Sequence, residues 1–517
     1  MEAAVRPPES DGGSYSAPSS HARRGHEGVL VSLSVIFALA ILLSQWPLAF
    51  GDTYHLLAAQ MVVAGRKPYL DFFLQQVPLY PLICGAWLRI FGTSWQAANV
   101  LSGLLICGSA AIIARIASRA YSDSGWRAKG SIIAVFLFGL NLQVAESGDD
   151  AQPYALCMFF CLSAWLAAMD ARPTAMRTFL TGLAAGAAVN TSLLAAPFFV
   201  ILTGWTIFQP EGVRAEGPDR RRRLLWLVCG AAVASIPLAY LAMLAPTQAW
   251  FDIVTFQLFY RTAGPALPKN VASHNLHEVL DWVRSIQGAV LVLLSLAGAL
   301  FLFDRRAPGS TRRSVSYAAL LAVVWALYLA LVPLTWHMYF VLVVPYVSLL
   351  AAAGLCHLCA RARLSQWSSK IFAGTIVLYS LGLAIPLVAG LISGRPGRWA
   401  PPEEAARIVN AETGPEEPVY SDDESIYVVA RRLPPRGLEN SFGAVVRLPS
   451  SEYTWAALVP PERNEERLRA GNFAAVVLTK TKDDVRIQAV RNGGLYSQFA
   501  ETTNYVIFWK PKVQGAP

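Results

Sequence analysis

Three places put carboxylates where an apolar chain has least use for them. The stretch "SQWPLAFGDTYHLLAAQMVVAGRKPYLDFFLQQVPLYPL" (44–82) ends a long apolar run at Gly51-Asp52. It then sets a second acid, Asp71, in a loop rich in aromatics and prolines. Further on, "AESGDDAQPYAL" (145–156) packs Glu146, Asp149 and Asp150 into five residues between two more apolar runs. A carboxylate in the middle of a bilayer costs several kcal/mol, whereas at its boundary the charge is tolerable. Carboxylates collected at such a boundary are placed to accept a proton or to hold a cationic or hydroxyl-bearing group. The plainer alternatives are helix caps: Asp52 before a helix starting at Thr53, and Asp149 or Asp150 before "AQPY", a good helix start. Asp71 reads equally as a turn acid.

The elements that position these acids are read from composition. Of 517 residues, 54% are hydrophobic and 15% charged, with mean hydropathy +0.41; soluble domains carry roughly 25% charged residues. The fold class is therefore an α-helical polytopic membrane protein. Runs of about 20 apolar residues suffice to span a bilayer. About eleven spans are predicted near 29–50, 97–118, 130–146, 152–169, 177–190, 193–208, 224–245, 286–303, 314–332, 337–358 and 370–392. In the region 177–208, "AAGAAVNTSLLAAP" reads either as a tight turn between two short spans or as one broken helix; its small residues permit close helix packing. With eleven spans, Arg23, Arg24, Arg119, Arg127, Lys129, Arg172, Arg177, Arg220 to Arg223, Arg305, Arg306, Arg312, Arg313, Arg361, Arg363 and Lys370 fall on one side. The positive-inside rule makes that side cytoplasmic. The net charge of +9 is thus a matter of topology. No basic stripe with interleaved aromatics suggests nucleic acid.

This organisation gives a disordered cytoplasmic tail (1–27), too long before its apolar run for a cleavable signal peptide. A transmembrane domain (28–393) follows, with outer loops 51–96 and 246–285, and then a small extracytoplasmic α/β domain (394–517). In the last of these "EEAARIVNAET" and "DDVRIQAVRNGG" read as helices, and "AAVVLT" and "YVIFWK" as buried strands. The segments "YHLLAAQMVVAG" and "VPLYPLICGAWLRIFG" are too broken to span and read as helices lying along the membrane interface. The seven cysteines sit almost all in apolar segments and form no disulfide framework. The CxxC at 356–359 reads as small apolar packing.

The order of these features resembles the C-type glycosyltransferase superfamily. The residues that carry the likeness are Asp52 at the exit of the first span, Gly65, Pro68, Tyr69, Asp71, Phe72 and Pro78 in "GRKPYLDFFLQQVP", and an Asp in the turn before the fourth span. A late "WHMYFVLVVPYVSLLAAAG" (336–354) completes it. The branch is that of the protein O-mannosyltransferases and the lipid A aminoarabinose transferase, and the likeness covers about residues 29–360. It implies an enzyme that moves a sugar from a polyprenyl-phosphate donor to a glycan, lipid or protein acceptor outside the cytoplasm, in the manner of cell-envelope or lipopolysaccharide glycosylation at a bacterial inner membrane. A poor hydroxyl nucleophile needs a general base, worth typically 10²–10⁴-fold, and a phosphate leaving group needs facing cations and donors. The resemblance makes Asp52 the base and Asp150, or its neighbour Asp149, the second acid. Asp71 would orient the acceptor or the loop, and Tyr54, beside the base, is grouped with the substrate-binding residues. Arg261 suits the phosphate because of its fixed fork of donors; interfacial snorkelling is its alternative. His337 and Tyr339 are the other phosphate candidates, though the aromatic belt alone accounts for Tyr339.

One departure from the pattern stands out. The aminoarabinose transferases carry Lys-Pro-Pro in the first outer loop, where this chain has "LQQVPLYP" with Gln75, Gln76 and no lysine. No cofactor is implied firmly. A divalent metal is the one candidate, and "SHNLHEV" (His274, His277, Glu278) lacks zincin spacing. The rival readings are a membrane transporter or flippase, disfavoured because the spans are nearly free of charge, and a non-catalytic lipid-binding protein.

Overall fold

The computed structural model describes residues 20–45, 53–121, 126–169, 174–208, 220–262, 268, 270–303, 309–362, 364, 366–393, 397–441, 446–480 and 485–511. The expected tail lies mostly outside them, and so does Asp52. The first helix, α1, runs Ser20–Gln45; α2 (Tyr54–Val63) and α3 (Leu79–Phe91) follow, then α4 (Trp95–Ala120). The third predicted span is broken: α5 (Arg127–Gly139) meets α6 (Leu142–Gly148) at 66°. The side chain of Asn141 causes the break by accepting from Gln143 N–H, so that a new helix starts there. Next come α7 (Pro153–Ala168), α8 (Ala175–Thr191), a 3₁₀ turn (Leu193–Ala195) and α9 (Ala196–Phe208). The span near 224–245 is also bent, α10 (Arg220–Ala234) meeting α11 (Ile236–Leu244) at 51° where Pro237 enters the first turn of α11. After α12 (Pro246–Trp250) the chain winds as a π-helical segment, Phe251–Tyr260. The amphipathic α13 (Val271–Arg284) turns by 82° into α14 (Ile286–Ala299), with Ser285 capping Gly288 N–H. Then α15 (Gly309–Leu331), a 3₁₀ turn (His337–Leu342), α16 (Val344–Arg361) and α17 (Ser368–Ile392) complete the membrane domain.

Each of the eleven predicted spans falls on helix, but not all are straight crossings. Among the described residues five helices (α1, α4, α15, α16, α17) are long and apolar enough to cross alone, and the three bent pairs raise that to eight. The remaining three predictions rest on α7, α8 and α9, of 16, 17 and 13 residues, at about 1.5 Å per residue short of a full 30 Å core. The predicted span 337–358 starts instead with the 3₁₀ turn.

Close packing follows the small residues. A methyl on Gly182 would lie 2.0 Å from Leu227 O, and one on Gly230 2.1 Å from Phe179 O, so α8 and α10 meet backbone to backbone. Gly298 and Gly354 do the same for α14 and α16, each within 2.1 Å of the opposite helix's carbonyl oxygen. This is the contact the small residues of 177–208 foretold, extended to a second helix pair.

The C-terminal part forms α18 (Ala400–Glu412), β1 (Val419–Ser421), α19 (Glu424–Ala430), α20 (Ser450–Trp455), α21 (Pro461–Arg469), β2 (Ala475–Thr479), α22 (Val485–Asn492), β3 (Gln498–Glu501) and β4 (Tyr505–Trp509). The sheet order is β1-β2-β4-β3, with β1 parallel to β2 and the other pairs antiparallel. Strand β2 alternates as a two-sided core strand must. Ala475 and Val477 pack with Ala405, Val409 and Ile426, while Val476 and Leu478 pack with Leu468, Phe473, Ile487 and Phe508. The expected helices and strands β2 and β4 are present. Strands β1 and β3, which the sequence reading did not foresee, complete the sheet.

Helix α2, expected along the membrane interface, is enclosed by protein. Tyr54 through Met61 are all buried, because α3 covers one side of α2 and the C-terminal part the other. One hydrophobic cluster joins Leu57, Phe72 and Tyr80 to Trp399, Tyr427 and Val428. Polar contacts reinforce the seam. Arg66 donates to Pro434 O (3.1 Å) and lies 3.6 Å from Glu439, and Arg436 lies 3.5 Å from Asp71.

Candidate functional site

The acid turn between α6 and α7 is buried, not a solvated loop. Asp149 caps the C-terminus of α6 and is wholly buried; Asp150 follows, nearly so. The helix-cap alternative does not describe Asp150, since Gln152 occupies the N-cap of α7. Instead three donors converge on its carboxylate. Ala151 N–H (2.9 Å) and Arg398 Nη1 (3.0 Å) donate to Oδ1, and Gln152 Nε2 (2.9 Å) donates to Oδ2. Asp150 and Arg398 side chains are each 7% exposed. Removing one partner of such a buried pair costs about 3–5 kcal/mol, because the other charge is left uncompensated. The second arm of Arg398 donates from Nη2 to Thr53 Oγ1 (3.3 Å), and that hydroxyl is 2.9 Å from Ser425 Oγ on α19. Arg398 also lies 5.2 Å from the ring of Trp399, which stacks on Trp95.

The loop after α2 is shaped by its own strain. Tyr69 is buried with φ of 69°, a left-handed conformation that favours glycine. It is held there by Tyr69 N–H to Phe72 O and by its hydroxyl to Gln76 O (2.8 Å). Tyr54 is buried beneath the same loop and its hydroxyl donates to Phe73 O. Asp71 accepts from Lys67 N–H (2.8 Å), closing the turn from which it reaches Arg436.

The π-helical segment braces this loop. Asp252 accepts from Leu74 N–H (2.8 Å) and is fully buried, and burial pushes its carboxyl well above the usual carboxylate range. The side chain of Gln257 donates to Gln75 O. Four residues on, Arg261 donates from Nη1 to Gln257 Oε1 (3.1 Å) and from Nη2 to Leu334 O (3.2 Å) and to the Tyr339 hydroxyl. The result is a half-open cleft enclosing about 640 Å³, lined by Gln75, Gln76, Gln257, Arg261, Tyr328 and Tyr339 among others. Among the described residues no carboxylate lines it, and Arg261 is the single cation there. A guanidinium among neutral amides and phenols is a site for an anion.

His337 does not join that cleft. It sits on the same 3₁₀ turn as Tyr339 but faces the opposite way, 4.0 Å from Glu146. It lines a larger cavity of about 850 Å³ with Gln143, Glu278, Asp281, Trp282 and Gln287. One short turn therefore divides a cationic cleft from an acid-lined cavity. His274 is 3.0 Å from Thr335 O and faces Glu278, and His277 faces Asp281, each pair within helix α13. Among the described residues no three His, Cys, Asp or Glu side chains gather as a metal ion would need.

Of the sequence candidates, Arg261 and Tyr339 come together, Asp149 and Asp150 occupy one buried turn, and Asp71, Tyr54 and His337 stand apart from the cleft. Sequence reading missed Arg398, Thr53, Ser425, Asp252 and Gln257. Only Gln257 carried a signal, its helical spacing of four from Arg261.

No protein-family model matches the chain, and no curated protein matches it in sequence. Solved structures do match. The crystal structure of ArnT from Cupriavidus metallidurans in the apo state superposes with a TM-score of 0.65 at 14% identity, over 94% of this chain and 98% of that one. The same enzyme bound to undecaprenyl phosphate gives 0.64 at 14% identity, over 97% of this chain and 100% of that one. From the membrane helices through the C-terminal sheet, the chain has the fold of ArnT.

Proposed function

We propose that the chain transfers a sugar from a polyprenyl-phosphate donor to an acceptor hydroxyl on the extracytoplasmic face of a bacterial inner membrane, with its N-terminus in the cytoplasm. The observation that carries this reading is the Arg261 cleft: a cation set among neutral amides and phenols, in a fold whose relative ArnT is known with undecaprenyl phosphate bound. In this reading Arg261 and Tyr339 hold the donor phosphate, and the amides of Gln75, Gln76 and Gln257 supply neutral donors where the aminoarabinose transferases have a lysine. The acceptor approaches from the acid-lined cavity past His337, with a glycan, lipid or protein hydroxyl, as in envelope or lipopolysaccharide glycosylation. Asp52 takes the hydroxyl proton while the oxygen bonds to the anomeric carbon and the bond from that carbon to the phosphate oxygen breaks. Polyprenyl phosphate leaves, and one displacement inverts the centre. Asp150 and Asp149 serve the geometry around that step, Asp71 closes the turn of the first outer loop, and Tyr54 holds that loop.

The test is donor turnover in proteoliposomes, supplied with a panel of polyprenyl-phosphate sugars and an envelope extract as acceptor. Wild type should release polyprenyl phosphate and Asp52→Asn should lower that release by at least 10²-fold. Equal release by both would remove Asp52 from the chemistry.

A further inference from the structure

We propose that Arg398, at the head of the C-terminal part, is a positioning residue of the transfer site, so that the outer domain completes the site as well as covering it. The inference rests on the transferase reading above. Three observations point to it. Arg398 is buried, and it reaches two partners from different segments at once: the Asp150 carboxylate at 3.0 Å and the Thr53 hydroxyl at 3.3 Å. Thr53 is the residue after the candidate base Asp52, so one guanidinium ties the acid turn to the chain that carries the base. The Thr53 hydroxyl is held in turn by Ser425 of α19, a helix of the outer domain. A single planar fork thereby links the acid turn, the start of α2 and the domain above them.

The carboxylate of Asp150 is already met by three donors, from Ala151, Gln152 and Arg398. Such an arrangement fixes where the carboxylate sits and which way it points. Asp150 thus acts with Arg398 as geometry, and the proton goes to Asp52. Misplacing a reacting group by about 1 Å can cost 10²-fold in rate, which is the loss expected when the fork is removed. The phosphate cleft is built from other residues, so donor affinity should be spared.

The experiment measures polyprenyl phosphate release at varied donor in proteoliposomes, with thermal unfolding of each variant alongside. Arg398→Gln should lower kcat about 10²-fold and leave the donor KM within threefold. Arg398→Lys keeps a charge for Asp150 but cannot span both partners. It should unfold near the wild-type temperature yet lose about tenfold in kcat. Thr53→Val, which removes the hydroxyl and keeps the shape, should give a similar loss. The double variant Arg398→Lys with Thr53→Val should lose no more than either alone, because both break one link. A purely structural tie predicts otherwise: a folded Arg398→Lys would have wild-type kcat. That outcome, or a rise in donor KM at unchanged kcat, overturns the proposal while the transferase reading stands. A wild type that releases nothing from any donor removes the transferase reading, and this proposal with it.

Discussion

Glu439 offers a sharp test of how the outer domain is seated. Its side chain is wholly buried, with Arg66 at 3.6 Å. The backbone near Gly437 and Glu439, together with Arg66 and Arg436, draws the pKa down, but neither carboxylate oxygen closes a hydrogen bond of normal geometry among the described residues. Burial prevails and pushes the carboxyl up from 4.5 to about 7. Between those values the native domain keeps a proton that the opened chain has given up. The stabilisation is therefore complete below the opened-state pKa and is lost as pH rises through the native one. At about 1.4 kcal/mol per pKa unit the loss is about 3.5 kcal/mol, of which roughly 2.5 falls between pH 5 and pH 8. The Glu439→Gln variant resembles the protonated acid and does not titrate. Hydrogen exchange of amides in 424–441, corrected for the intrinsic rate at each pH, reads local opening directly. Wild type should open only about fourfold more often than the variant at pH 5, and by pH 8 on the order of 300-fold more often, from the same pKa difference. Protection that rises with pH in the wild type, or a variant that loses protection at pH 8, would mean that Arg66 holds the anion and that burial does not decide this site.

Other outcomes follow from the same geometry. Arg261→Gln leaves the cleft without its cation and should raise the donor KM by about 10-fold or more, since a charged hydrogen bond is worth about 1.5–3 kcal/mol; an unchanged KM in the release assay would place the phosphate elsewhere. Gln76→Lys adds a second cation to that cleft, and inhibition by added polyprenyl phosphate should become several-fold stronger. Asp71→Asn touches a pair whose Arg436 side chain is 75% exposed; turnover should stay within threefold, as surface pairs contribute about 0–1 kcal/mol. Gly354→Leu drives a side chain into Leu294 O, where even a methyl would lie at 2.0 Å, and should abolish a monodisperse, folded preparation by size exclusion.

Much of the helical layout was legible because an apolar run of bilayer length has few other fates. The paths of those runs were not. The breaks at Asn141, Pro237 and Ser285 depend on local caps and a proline, and hydropathy averages over them. The burial of the helix "YHLLAAQMVV" was not legible because its covering surface, Tyr427 and Val428, lies more than 360 residues away in the chain. Arg261 and Tyr339 could be named from residue type and from the side of the membrane assigned to them. Their meeting required the turn at 337–342, and the same turn sent His337 the other way. Arg398 was invisible for a simpler reason. One of two arginines in "GRPGRWAPP", it looks like any basic residue after a last span, and its partner is 248 positions earlier.

The ion pair between Arg398 and Asp150 also bears on how this protein could be recombined with its relatives. By composition the natural cut is after Ser393, where the last long helix has ended. A chimaera joined there would carry away Arg398 and, on α19, Ser425, while Asp150 and Thr53 stayed behind. A grafted outer domain would have to bring its own cation to the same depth or leave an acid buried without its partner. Modular exchange of the outer domain is thus constrained from within the membrane domain, and the two parts must be inherited, or engineered, as one unit.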